Sequence, residues 1–190
     1  EKMRGVEVVA LCDNDRAKAR AIAERFGVPG NHSDLEEMLE GETVDAVIVA
    51  TPNHLHEPAV LSVLRAGIDV LCERPLSFTA RGVERVLAAA ERAGRKVLVG
   101  NNHRFRTDVQ ALAQFVQAGE LGKLTGIRAG AYAPRPPAGW RQRRPEAGGG
   151  AFLEQGFSLL DLALWLADFP EDVRVSATMR RDRGATAVED

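Results

Sequence analysis

Two apolar stretches of this chain stop abruptly at residues able to meet a polar ligand. The run 69–72 gives way to Glu73-Arg74-Pro75, and the run 45–50 gives way to Thr51-Pro52-Asn53-His54. Short apolar runs of this kind read as buried parallel strands, and in open α/β sheets ligands sit just beyond the carboxyl ends of the strands. Two adjacent strand ends therefore deliver Thr51, Pro52, Asn53, Glu73 and Arg74 to one crevice. A third candidate is Asp13, at the end of the run 6–11. An acidic side chain there can accept hydrogen bonds from the ribose hydroxyls of an adenine dinucleotide and repels the extra phosphate of NADP, which points to NAD in preference to NADP. The alternative is a turn former or helix cap, since any residue of Asp13-Asn14-Asp15 could cap the helix that follows.

The elements that must position these residues alternate. A strand over 6–11 leads to a helix over 16–26 ended by Gly27, and Ser33 with Glu36 makes a capping box for a short helix through Leu39. A strand over 45–50, a helix over 58–66, a strand over 69–72, a helix over 79–93 and a strand over 96–100 follow. Strands alternating with helices through short connections imply a parallel sheet wound by right-handed crossovers. After Asn102 the rhythm changes: a helix over 108–117, a strand over 124–132, a long Pro-, Gly- and Arg-rich loop over 133–150, an apolar helix over 151–167 and a strand over 173–180. A domain boundary is expected near 101–106, dividing the chain into 1–102 and 103–190. The chain opens at what should be the second strand of a dinucleotide fold, so the first strand and its Gly-x-Gly-x-x-Gly turn are expected to be missing, and residues 187–190 lead toward a further strand. A sheet lacking a central strand predicts poor stability for the isolated chain.

Bulk properties narrow the function classes. A net charge of -2 argues against a general nucleic-acid binder. The longest apolar stretches are far shorter than a membrane span and no leader opens the chain, so a cytoplasmic protein is expected. Cys12 and Cys72, without CxxC or His spacing, read as two buried free thiols and point to neither a disulfide framework nor a metal site.

The segments VEVVALCDNDRAKARAIAERFG, VDAVIVATPNHLHEPAVLSVLRAGIDVLCERPLS, VLVGNNHRF, GELGKLTGIRAG and GGGAFLEQGFSLLDLALWL resemble, in this order, successive segments of the Gfo/Idh/MocA oxidoreductases, the family of glucose-fructose oxidoreductase and inositol dehydrogenase. The resemblance covers nearly the whole chain. It implies a Rossmann-type doubly wound parallel sheet that binds NAD, followed by part of an α/β domain whose mostly antiparallel sheet often forms the oligomer interface, and hence a homo-oligomer when complete. It implies that Thr51, Pro52, Asn53 and His56 match the family's Thr-Pro-Asn-x-x-His segment along the cofactor, that Glu73 matches the glutamate of its Glu-Lys-Pro motif near the nicotinamide, and that Asn102, with His103 and Arg104, lies where a polar residue approaches substrate or cofactor. For His54 a helix-entry cap or a surface position is the expectation.

The departures carry as much information. Arg74 stands where the family usually has its catalytic lysine, and a guanidinium stays charged, suited to orienting oxygen atoms and not to shuttling protons. Glu154 and Ser158 match the positions of the usual aspartate and histidine. Four-residue spacing in a helix keeps Glu154, Ser158 and Asp161 near one face. Serine cannot take up the proton released when an alcohol is oxidised, whereas Glu154 can act as a base where burial raises its pKa. His103 and Tyr132 are further candidates. A helix-dipole carboxylate for Glu154 and a salt bridge for Asp161 are the structural alternatives, and Arg104 could pair with an anionic substrate group or bridge two elements. The loop around Trp140, with Arg135, Arg141, Arg143 and Arg144, could attract an anion or meet a neighbouring subunit. Three functions follow from the resemblance: an NAD-dependent dehydrogenase of a sugar, cyclitol or related polyhydroxy compound; a hydrolase or lyase using transient oxidation; or a non-catalytic nucleotide- or sugar-binding relative.

Overall fold

The computed structural model describes residues 3–132, 138–180 and 188–189. The backbone separates into two compact units, the first made of residues 1–50, 56–72 and 79–98, the second of 51–55, 73–78 and 99–190. The two strand-end segments singled out above thus belong to the later unit.

In the first unit the order is β1 (Ala10–Cys12), α1 (Arg16–Phe26), β2 (Gly30–His32), α2 (Leu35–Gly41), β3 (Ala46–Val49), α3 (His56–Arg65), β4 (Asp69–Cys72), α4 (Ala80–Ala93) and β5 (Val97–Val99). β1 pairs parallel with β2, placing Leu11 opposite Asn31. β3, β4 and β5 form a second ladder in sequential order, with β3 and β4 parallel and Val47 opposite Val70. The division falls between β1 and β3, where a doubly wound sheet has its central strand.

α3 packs on β3, β4 and α4, and Val47, Val49, Val60, Val63, Leu64, Val70 and Val86 close the core between them. These β-branched and leucine side chains recur at the strand and helix periods that point inward. The caps are local: Asp15 Oδ1 accepts from Lys18 N at 3.1 Å, and Thr79 Oγ1 from Gly82 N at 3.0 Å. Burial on both faces of the strands, as the apolar runs suggested, is not found. Ala46 and Ile48 of β3 and Leu98 of β5 are exposed, so this sheet buries one face against α3 and α4 and leaves the other open among the described residues.

Several expectations are corrected. The first strand is shorter and later than 6–11, because Val6 and Val8 are exposed and unpaired in a ladder. β2 escaped sequence reading because Gly-Asn-His offers no apolar alternation. Asp34, not Ser33, caps α2, its carboxylate accepting from Glu37 N at 3.0 Å. Cys12 is exposed, while Cys72 is buried. Partial desolvation and the carboxylates of Asp34, Asp13 and Glu37 push the Cys12 thiol above its ordinary pKa.

The second unit is helical: α5 (Thr107–Gln117), α6 (Arg144–Ala147) and α7 (Phe157–Leu166), with 3₁₀ turns at Asn53–Leu55, Asn102–Phe105 and Gly139–Gln142. The strands expected over 124–132 and 173–180 are not formed, and the antiparallel sheet expected after residue 102 is not seen among the described residues. Every residue of both segments is exposed, with no ladder partner among the described residues to take their backbone hydrogen bonds. The loop 133–150 is not structureless, since its latter half holds a 3₁₀ turn and α6; residues 133–137, with Arg135, lie outside the described residues, as do 187 and 190 of the expected final strand.

Candidate active site

In the first unit Asp13 follows β1 directly. Its Oδ1 accepts from Asp15 N at 3.0 Å, and its Oδ2 is ion-paired with Lys18 Nζ. Asp15 takes the cap of α1, so Asp13 forms the turn but is not the helix cap. The hydrogen bond and charge of Lys18 hold the Asp13 carboxyl below its ordinary pKa, keeping it an acceptor. Lys18 was missed by sequence reading because a basic residue within a surface helix carries no local signal. His56 opens α3 and is almost wholly buried.

The second unit brings the two strand-end segments together with α6 and α7. Asn53 Nδ2 donates to Ala147 O at 3.0 Å, which fastens the 51–55 segment to α6. His54 is exposed in the 3₁₀ turn, with Thr51 exposed before it. After β4, Glu73 is exposed and the Arg74–Pro75 peptide is cis. Arg74 reaches across 79 and 80 residues of sequence: Nη1 donates to Leu153 O and Nη2 to Glu154 O, each at 2.8 Å.

Those carbonyls belong to an irregular stretch. The helix expected over 151–167 begins with a π-helical turn, Phe152–Gly156, before α7 continues as a regular α-helix. Phe157 N donates to Phe152 O across five residues, whereas Glu154 N donates to Gly150 O across four. A π turn takes more residues per revolution than an α turn, so Glu154 does not stand over Ser158 as four-residue spacing in a uniform helix requires. Ser158 is buried, while the Glu154 side chain is 45% exposed and pairs with Arg141 Nε at 3.2 Å. The burial expected of Glu154 is absent. Arg141 itself stacks over Trp140, 4.3 Å from the ring centroid. Thirteen residues separate Arg141 from Glu154, and no sequence pattern joins them.

The turn into this helix needs glycine for steric reasons. Gly148 has φ +81, and a Cβ there would overlap the Phe78 ring; at Gly150 a Cβ would overlap the backbone of Glu189. Glu189 closes the same turn, Gly150 N donating to its Oε1 at 2.7 Å and Ala151 N to its carbonyl at 3.1 Å. Arg143 pairs with Glu146 and, with a smaller effect of His54, holds that carboxyl below its ordinary pKa.

Asp161 is a structural hub. Arg104 Nε donates to its Oδ2 at 2.7 Å, Arg104 Nη2 pairs with Oδ1, and Asn101 Nδ2 donates to Oδ1 at 3.1 Å. The Arg104 guanidinium also lies 5.8 Å from the Trp165 ring centroid and 5.3 Å from that of Phe169. Arg104 is thus committed to α7 rather than presented to an anionic ligand. Asn101 Oδ1 is buried without a hydrogen-bond partner among the described residues. Asn102 is exposed in the adjoining 3₁₀ turn, His103 is half-buried, and Tyr132 is fully exposed.

The first unit thus presents a carboxylate at the end of β1, and the second by itself joins the polar strand-end segments to a helix that bears a carboxylate and a buried serine. Residues 1–101 match the profile of an oxidoreductase family with an NAD-binding Rossmann fold, and residues 109–190 match the GFO/IDH/MocA C-terminal domain. The chain belongs to the Gfo/Idh/MocA oxidoreductase family. It is 36% identical to a 1,5-anhydro-D-fructose reductase of Ensifer adhaerens over 79% of its own length and 46% of the relative's. Among solved structures it superposes on GenD2 of gentamicin A biosynthesis, in complex with NAD, with a TM-score of 0.85 and 28% identity, covering 97% of this chain and 53% of that one. An aldose-aldose oxidoreductase of Caulobacter crescentus, complexed with glycerol, gives a TM-score of 0.84 at 31% identity, covering 97% and 57%. The chain therefore spans about half the length of the relatives it matches.

Proposed function

We propose that the protein containing this chain is an NAD-dependent dehydrogenase or reductase acting on a sugar, cyclitol or related polyhydroxy compound. The observation that carries the reading is the joining, by Arg74, of the segment after β4 to the helix that bears Glu154 and Ser158. Family membership and the relatives named for sugar chemistry support the substrate class.

The residues present fit a dinucleotide. Asp13 offers a carboxylate at the end of β1, partly exposed and kept ionised by Lys18, where it can accept from the adenosine ribose. Thr51, Pro52, Asn53, His56, Glu73 and Asn102 are the further cofactor-binding residues of the proposal. Bound NAD would supply the hydride acceptor. Arg74 contributes a permanent positive charge and no proton chemistry. Glu154, in contact with solvent, passes the hydroxyl proton onward directly or through a water, and the buried Ser158 is the further catalytic-position residue of the proposal. Residues 1–102 form the nucleotide-binding domain in this proposal and 103–190 the start of the substrate and oligomerisation domain of a cytoplasmic homo-oligomer. No helix among the described residues is long and apolar enough to cross a membrane.

The test is nicotinamide absorbance on mixing the full-length protein with NAD and a panel of sugars, cyclitols and sugar acids. Stoichiometric NADH on one class supports the reading. Product without NADH accumulation replaces it by transient oxidation, and nucleotide binding without turnover replaces it by a binding role.

A further inference from the structure

We propose that Arg74 is a positioning residue, whose guanidinium holds residues 152–156 in the π-helical winding that sets where the Glu154 carboxylate stands relative to Ser158. The argument begins with backbone accounting. Hydrogen bonds change from five-residue spacing at Phe152 to the four-residue spacing of α7. Such a change passes over one carbonyl, and a carbonyl without a donor in a half-buried turn is costly. The two carbonyls next along the chain from Phe152, those of Leu153 and Glu154, are the two that accept from Arg74.

Two oxygens on successive residues call for a forked donor. The guanidinium presents its amino groups in a rigid plane and stays charged, so each bond is charge-assisted. An ammonium carries three donors, but on one nitrogen at the end of a flexible stem, and so matches this pair less well than a fixed fork. The cation thus stabilises one winding of the helix over the regular one, and with it an outward Glu154 that meets Arg141 at 3.2 Å. π turns inserted in α-helices recur at functional sites because they redirect side chains in this way.

The activity part of the test rests on the oxidoreductase reading; the exchange part does not. In the full-length protein, Arg74→Lys and Arg74→Gln are compared with the parent by amide hydrogen exchange. The expected result is exchange of Gly156, Phe157 and Ser158 amides faster by about tenfold or more, with the amides of α4 unchanged. Exchange unchanged within about twofold in both variants overturns the proposal. Turnover is then read in a double-mutant cycle with Glu154→Gln. If Arg74 acts through the turn, Arg74→Lys lowers kcat alone, leaves the Kd for NAD unchanged, and adds less than about twofold in the Glu154→Gln background. Losses that multiply place Arg74 directly on the reacting oxygen and overturn the positioning role. If no substrate is turned over, the dehydrogenase reading fails while the exchange result still decides this one.

Discussion

The Asp161 hub makes a prediction whose size follows from the geometry. Asp161→Ala removes both bonds from Arg104 and the one from Asn101. The two charged side chains keep 12% and 25% of their accessible surface, so the pair is neither a solvated surface bridge, worth about 0–1 kcal/mol, nor a fully buried one, whose rupture costs about 3–5 kcal/mol. Trp165 and Phe169 flank the guanidinium and would offset part of its lost partner, by about 0.5–1 kcal/mol. Counting about 2–3 kcal/mol for the charge-assisted bonds and about 1 kcal/mol for the Asn101 amide, less the aromatic offset, gives a loss of roughly 2–4 kcal/mol.

Urea unfolding of the protein and the variant, followed by tryptophan fluorescence, measures it, since Trp165 reports on the hub directly. The companion variant is Arg104→Met. A cycle over both positions is expected to return a coupling of about 2 kcal/mol, because either change alone strands the other partner. A loss below about 1 kcal/mol for Asp161→Ala, or additive single losses, would show that the pair is solvated and refute the reasoning.

Other outcomes follow from the same contacts. Gly148→Ala should destabilise by about 2 kcal/mol or more, from the positive φ and the overlap with Phe78, and Phe78→Ala should relieve the steric part of it; a full cost in the Phe78→Ala background would assign everything to the backbone. Asp108, held by Arg106, should titrate at about 2 by carboxyl NMR and return toward its ordinary value in Arg106→Ala. A depressed folded pKa means that the pair's contribution is present above the unfolded value and lost as pH falls toward that midpoint, and added salt should weaken it; an unshifted midpoint at low salt would remove the pair. Lys18→Ala should leave NAD binding nearly unchanged and weaken NADP binding by about fivefold, since Asp13 then repels the extra phosphate without a neutralising partner. Equal effects on both nucleotides in paired binding measurements would separate Lys18 from cofactor choice.

The first half of the fold was legible because its signals are local. α1, α3 and α4 alternate with apolar runs, and the parallel pairing of β3 with β4 follows from that alternation. Beyond Asn102 the strands expected over 124–132 and 173–180 carry the right residues, yet a strand exists only when a neighbour completes its hydrogen bonds. Their periodicity described a preference that no partner among the described residues satisfies. Of the candidate site, the polar strand ends that the second unit gathers were legible, because polar residues interrupt apolar runs there. It was not legible at Lys18, Arg141 or the Ala147 carbonyl, because those contacts join residues unrelated by any period.

The three departures that the resemblance implies fit one another. A lysine at position 74 would bring one ammonium toward Leu153 and Glu154, where two carbonyls now accept from separate nitrogens. With arginine there, the π turn is sustained and the residue at 154 faces outward, where the longer reach of glutamate over aspartate lets it meet Arg141. The residue at 158 is then buried, and a small serine needs no charged partner there, whereas an imidazole would require both more volume and a partner for its second nitrogen. On the correspondence that the resemblance implies, Arg74, Glu154 and Ser158 therefore read as one rearrangement of the helix start. Arg74→Lys, Glu154→Asp and Ser158→His, each made alone, should lower turnover more than the three made together, which turnover compared singly and together would establish or refute.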